Sequence, residues 1–195
     1  DTGTSIVLNG DVTSTAAGEI IFNSPVSVTG ASVVTSSDSV ISFLDLVDGS
    51  RNLTVNSGTA VKTFADMVGS TNSLGNGVGA ALVLQGSGTT TFSDTIVARS
   101  GITAVGDVIF TKDVTLADGD TGSTFTGLVT SGGASGNILS SYDGMAFNGG
   151  LTLVGGPISV ISNGGTVSFG GAVTGPQYLT LNALAGGAGT VTGLN

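Results

Sequence analysis

The chain has 195 residues, with 13 acidic side chains against four basic ones, a net charge of −9, and neither cysteine nor histidine. These counts exclude disulfide staples and thiolate or imidazole metal sites, and they argue against binding nucleic acid through its phosphates or docking on an anionic membrane. Charged residues make up only 9% of the sequence, against about a quarter in ordinary soluble domains, while glycine reaches 34 residues.

In chain order, short runs with period-2 alternation and turn residues between them predict strands. They fall at Ser5–Leu8, Glu19–Phe22, Val26–Val28, Ser32–Val34, Val40–Phe43, Asn52–Val55, Val61–Phe64, Ala81–Leu84, Thr89–Phe92, Thr95–Ala98, Asp107–Phe110, Val114–Leu116, Leu151–Val154, Ile158–Ile161, Thr166–Phe169 and Tyr178–Leu181. Val61, Phe64, Ala65 and Val68 also satisfy helical spacing, but Gly69 cuts that run short and the strand reading fits its neighbours better. Gly69–Gly79 reads as an exposed loop inserted into one coil. The three prolines fall in turns or at strand starts, where a missing N–H is tolerated. No apolar run approaches the ~20 residues that span a bilayer. The opening Asp1-Thr2-Gly3-Thr4 has neither a basic nor an apolar leader region, so a removed signal or a longer parent chain is expected.

The strands are organised by phenylalanine. All eight, Phe22, Phe43, Phe64, Phe92, Phe110, Phe125, Phe147 and Phe169, follow one another at intervals of 21, 21, 28, 18, 15, 22 and 22 residues. Four residues after each stands a branched aliphatic: Val26, Val47, Val68, Ile96, Val114, Val129, Leu151 and Val173. Val, Ile and Leu supply 49 of 195 residues, so chance would place one at about a quarter of such positions. A period near 20 with one aromatic per period predicts an all-β parallel solenoid, with coils of about 21 residues that stack Phe on Phe. Stacked coils about 4.8 Å apart set each outward residue against its own copy, which favours hydroxyl and amide side chains over charges. The 28-residue interval holds the inserted loop. The 15-residue interval is too short for a full coil and marks Phe125 as displaced from the ladder.

Three segments carry a resemblance: Glu19-Ile-Ile-Phe-Asn-Ser-Pro-Val-Ser-Val-Thr-Gly30, Val40-Ile-Ser-Phe through Leu53-Thr-Val-Asn56, and Thr166-Val-Ser-Phe through Leu179-Thr-Leu-Asn182. The shared pattern is an aliphatic-x-Phe strand, a step, Val, a turn, then Leu-Thr-Val/Leu-Asn. It resembles the β-strand repeats of large bacterial exoproteins of the filamentous-haemagglutinin-like and autotransporter type. The likeness covers most of the chain, least well residues 117–145. It implies a right-handed parallel β-solenoid outside the cell or at a bacterial cell surface, serving as an adhesin shaft or a fibre.

Candidate chemistry is sparse. Asp45, Asp66 and Asp94 each follow a ladder Phe by two residues, so register would stack their carboxylates, but a sugar-cleaving site also needs a cationic and aromatic groove. There is no Trp, and only Tyr142 and Tyr178 are available for sugar stacking. No catalytic set and no cofactor is expected. Asp113, Asp118 and Asp120 are the candidate Ca²⁺ ligands, although no calcium-loop motif surrounds them. Thr-x-Thr pairs do not recur at the ladder period, as a flat ice-binding face would require. Asn52-Leu53-Thr54 matches a glycosylation acceptor and equally an ordinary strand.

The expected function is structural: one solenoid over residues 1–195, of about nine coils, without enzyme activity or membrane insertion. Its partners would be copies of itself stacked head to tail into a filament, or the remainder of a longer passenger. The alternative is a carbohydrate- or receptor-binding adhesin module that uses the loop at residues 69–77.

Overall fold

The computed structural model describes residues 4–117, 119–183 and 191–192. The described residues form no helix, and every strand pairing is parallel, giving a β-solenoid of about 8 coils rather than nine, spaced about 21 residues apart. Each coil passes through three faces. Face I holds nine strands: Val12–Ser14, Ser32–Ser36, Leu53–Asn56, Leu82–Gln85, Ile102–Ala104, Ser123–Phe125, Met145–Phe147, Val167–Phe169 and Val191–Thr192. Face II holds eight: Ile20–Phe22, Ile41–Phe43, Lys62–Phe64, Thr90–Phe92, Val108–Phe110, Val129–Ser131, Leu151–Leu153 and Val173–Thr174. Face III is divided. Ile6–Leu8, Val26–Val28 and Val47–Asp48 form one sheet, and Ile96–Ala98, Val114–Leu116, Asn137–Ser141, Ile158–Ser162 and Leu179–Ala183 form another, with Val68 bridging Val47 and Ile96 between them.

The strands are mostly three to five residues long, and such pieces have no independent stability. Alternation makes them work together: the first and third residues of nearly every strand are buried and the middle one is not, so each face sends two files of side chains inward. The files meet in one continuous aliphatic and aromatic core.

The phenylalanines form two files instead of one. Phe22, Phe43, Phe64, Phe92 and Phe110 stack on face II with ring centroids 4.7, 4.8, 4.7 and 5.4 Å apart. Phe125, Phe147 and Phe169 stack on face I at 5.5 and 5.4 Å. Phe110 and Phe125 meet edge to face at 82° and 5.8 Å, so the aromatic column crosses from one face to the next without a break. The short interval displaces Phe125, as the sequence suggests, but Phe147 and Phe169 move with it.

The crossing is filled by size. Ala104 lies in the face I file below Phe125, and Ser131 lies in the face II file above Phe110, so neither level packs two phenyl rings side by side. Asn137, buried above Phe110, donates to the Phe110 carbonyl at 3.0 Å and accepts from Gly133 N–H at 2.9 Å. A whole coil pattern shifts along with the rings. Below the crossing, the tight three-residue corner after Phe joins face II to face III, and above it the same corner joins face I to face II. The five-residue strand ending in a buried serine moves from Ser32–Ser36 on face I to Ile158–Ser162 on face III. In both places the serine hydroxyl donates to the carbonyl three residues on, Ser39 and Gly165 respectively.

The upper corners explain the glycine-rich end of the chain. Gly106, Gly127, Gly149 and Gly171 stand one above another, and a Cβ on Gly127, Gly149 or Gly171 would come within 2.5, 2.3 or 2.6 Å of the glycine backbone below. Strand parity also carries Lys62 inward, where it shares a file with Ile41 and Thr90 and is 1% exposed. Its Nζ donates to Ser57 Oγ at 3.1 Å and to the Gly88 carbonyl at 3.0 Å. Burial without a carboxylate partner lowers its pKa from 10.5.

Three stability measurements check this packing. Phe43→Ala should cost about 3–5 kcal/mol in denaturant unfolding, and a loss below about 1 kcal/mol would place the ring outside the core. Gly127→Ala should cost about 1–3 kcal/mol, because the added methyl meets backbone. For Lys62 the unfolded chain holds more protons than the folded one between the lowered pKa and 10.5, so stability should rise with pH through that window. Lys62→Met should flatten the rise.

Candidate functional site

The residues that sequence reasoning singles out for chemistry lie at the corners. Phe64 pairs with Phe43 and Phe92, and Val68 with Val47 and Ile96, so the residues between them are in register. Asp45, Asp66 and Asp94 therefore occupy the same corner position on three successive coils, with Ser24 below and Lys112 above. Each accepts the N–H of the next residue, at 2.8 Å for Leu46, 2.7 Å for Met67 and 2.7 Å for Thr95.

The other described aspartates cap backbone on a different coil. Asp11 accepts from Val33 N–H, Asp38 from Thr59, Asp48 from Thr71, Asp107 from Leu128, Asp113 from Ile138, Asp120 from Gly79 and Asp143 from Gly119. All ten described aspartates are thus spent on main-chain donors, chiefly at the corners where the strand ladder lapses.

Asp113 and Asp120 stand at opposite ends of Val114–Leu116, and their carboxylates reach to different coils, Asp113 to Ile138 and Asp120 to Gly79. Asp118 lies outside the described residues. Among the described residues, no three acidic side chains come together in a metal-holding group.

The inserted segment is only partly the exposed loop that its composition suggests. Ser70, Thr71, Asn72, Asn76 and Val78 are exposed, but Leu74 is fully buried and bridges Ala98, with its N–H donated to the Val97 carbonyl at 3.1 Å. Asn52 ties the segment down from below, donating through Nδ2 to the Val78 carbonyl at 2.7 Å and accepting from Asn76 N–H at 3.1 Å. That engagement occupies the amide of the glycosylation-like triplet. Arg51 and Arg99, two of the four cations, are exposed at the coil positions next to this segment.

The outward residues of face II form one file that runs Ile21, Ser42, Thr63, Thr91, Ile109, Thr130, Thr152 and Thr174. It is one residue wide. The hydroxyls of Thr152 and Thr174 lie 3.1 Å apart, hydrogen-bonded along the stack.

The largest exposure of otherwise inward apolar groups is at the two ends of the described stack. Ile6, Val12 and Ile20 at the lower end, and Val173, Leu179 and Leu181 at the upper end, are only partly buried against the core. Among the described residues, the lower edges of Ile6–Leu8, Val12–Ser14 and Ile20–Phe22 pair with no strand below, and none pairs above Val173–Thr174, Leu179–Ala183 and Val191–Thr192.

Comparison with known proteins finds no matching family model, no matching curated protein and no matching solved structure.

The inward lysine and the buried Asn137 escape a reading by residue type. Strand parity, two residues back from Phe64, is the signal that places Lys62 inside, whereas nothing local marks Asn137.

Asp48→Ala should free the inserted segment, because Asp48 holds the Thr71 N–H and is itself 8% exposed. Cleavage within residues 69–79 by a broad-specificity protease should rise several-fold, in line with a lost charge-assisted hydrogen bond of about 1.5–3 kcal/mol. Asp48→Asn keeps an acceptor oxygen and should retain protection.

Proposed function

We propose that the chain is a structural, extracellular β-solenoid of bacterial surface type, acting as a self-assembling fibre subunit or as the shaft of an adhesin. One observation supports this above all: a single uninterrupted core runs the length of the described stack, and its partly exposed apolar groups sit at the two ends, where another coil would add. In such a protein the mechanism is mechanical. Each coil pairs its backbone with the next and buries its inward files against the neighbouring ones, so stability accumulates with the number of coils. The aspartates support the same reading, since each described one accepts from a main-chain donor. The resemblance of the Phe-centred strands to exoprotein repeats supports the cell-surface setting.

The rival reading is a binding module. It draws on the inserted segment, whose exposed Val78 and Asn72 side chains flank the Arg51 and Arg99 positions.

Electron microscopy of the purified chain over a concentration series tests the main reading. Filaments with a ~4.8 Å axial spacing are expected, and monodisperse short rods at every concentration would reject self-assembly. Asn72→Ala with Val78→Ala removes the exposed side chains while leaving the backbone contacts that dock the segment. Assembly should be unchanged, and loss of attachment to glycan or host-cell surfaces would favour the binding module instead.

A further inference from the structure

This inference deepens the self-assembly reading and rests on it. The two ends of the stack are not built alike. At the lower end, the aromatic file and its tight corner belong to face II, and the serine-ended strand belongs to face I. At the upper end the aromatic file is on face I and the serine-ended strand on face III. A copy placed directly above another without rotation would set unlike corners and unlike files against each other at the joint.

From this mismatch we infer that copies join head to tail with a rotation of one face, a third of a turn, so that face II of the upper copy continues face I of the lower. That rotation brings Phe22 of the next copy into the file of Phe169. It seats Ile6, the residue after the tight corner, over Val173, which follows the equivalent corner. It seats Val12 over Leu181, aliphatic on aliphatic, and Thr13 over Asn182.

A heterologous joint of this kind does not close on two copies but propagates. Each copy adds about 8 coils, or on the order of 40 Å of length at about 4.8 Å per coil.

Cysteine pairs give the test, because the chain has none of its own. Thr13 and Asn182 are both exposed and fall on adjacent strands across the rotated joint, within the Cα separation of about 4.4–6.8 Å that a disulfide spans. Val7 and Asn182 share one file of face III and would meet only across an unrotated joint. Thr13→Cys/Asn182→Cys should give an oxidation-dependent ladder of covalent multimers on a non-reducing gel, while Val7→Cys/Asn182→Cys should stay at the single-chain position. Helical reconstruction of filaments should give a rise on the order of 40 Å and a rotation near a third of a turn. The reverse cross-linking pattern overturns the rotated joint and leaves self-assembly standing. If neither pair yields a ladder and no filaments form, both the joint and the self-assembly reading fall.

Discussion

Everything in this molecule depends on parallel backbone pairing between a coil and the one about 21 residues further on. That ladder sets the spacing of coils and so puts each side chain against its counterpart in the neighbouring coil, inside and out. Inside, the consequence is files of like residues, with phenyl rings stacked 4.7–5.5 Å apart. Outside, the consequence is neutrality, since a charge repeated in register would oppose itself. The low charge content, the threonine-rich file on face II and the aromatic column are three results of one constraint.

The acidic charge that remains is concentrated at corners, where the ladder lapses and main-chain donors need other acceptors. A carboxylate is well suited to that task, because its hydrogen bonds are charge-assisted and its short side chain reaches a neighbouring coil. Glycine does a different job at the upper corners: between Gly106 and Gly171 the turns nest so closely that a Cβ has no room. The composition of the last third therefore follows from where the tight corner lies.

The solenoid was legible in the phenylalanine spacing because the coil length is nearly constant and each ring is followed, four residues on, by an aliphatic residue across a tight corner. That unit is local, so the sequence exposes it wherever it occurs. The face on which it sits is not local. Phe125 satisfies the same five-residue pattern as Phe110, and only the 15-residue interval betrays that it has moved, since a full coil from Phe110 ends at Ser131. The compensations, Ala104 below one ring and Ser131 with Asn137 above the other, lie far apart in sequence and acquire meaning only once the coils are stacked. The inserted segment misleads for a related reason. Its glycines and asparagines signal a loop, while the single Leu74 that anchors it is outnumbered.

The crossing at Phe110 and Phe125 has a consequence for folding fidelity. A stack of identical coils offers many almost equivalent alignments, and a chain that skips one coil during folding loses little contact. Here skipping the coil of Ala104 and Phe110 would set Phe125 on Leu84 in place of the small Ala104 and remove the ring that it meets edge to face. The change of phase therefore acts as an index mark: it gives every coil a unique address within an otherwise repetitive protein, and it penalises slipped forms that the repeat by itself would tolerate.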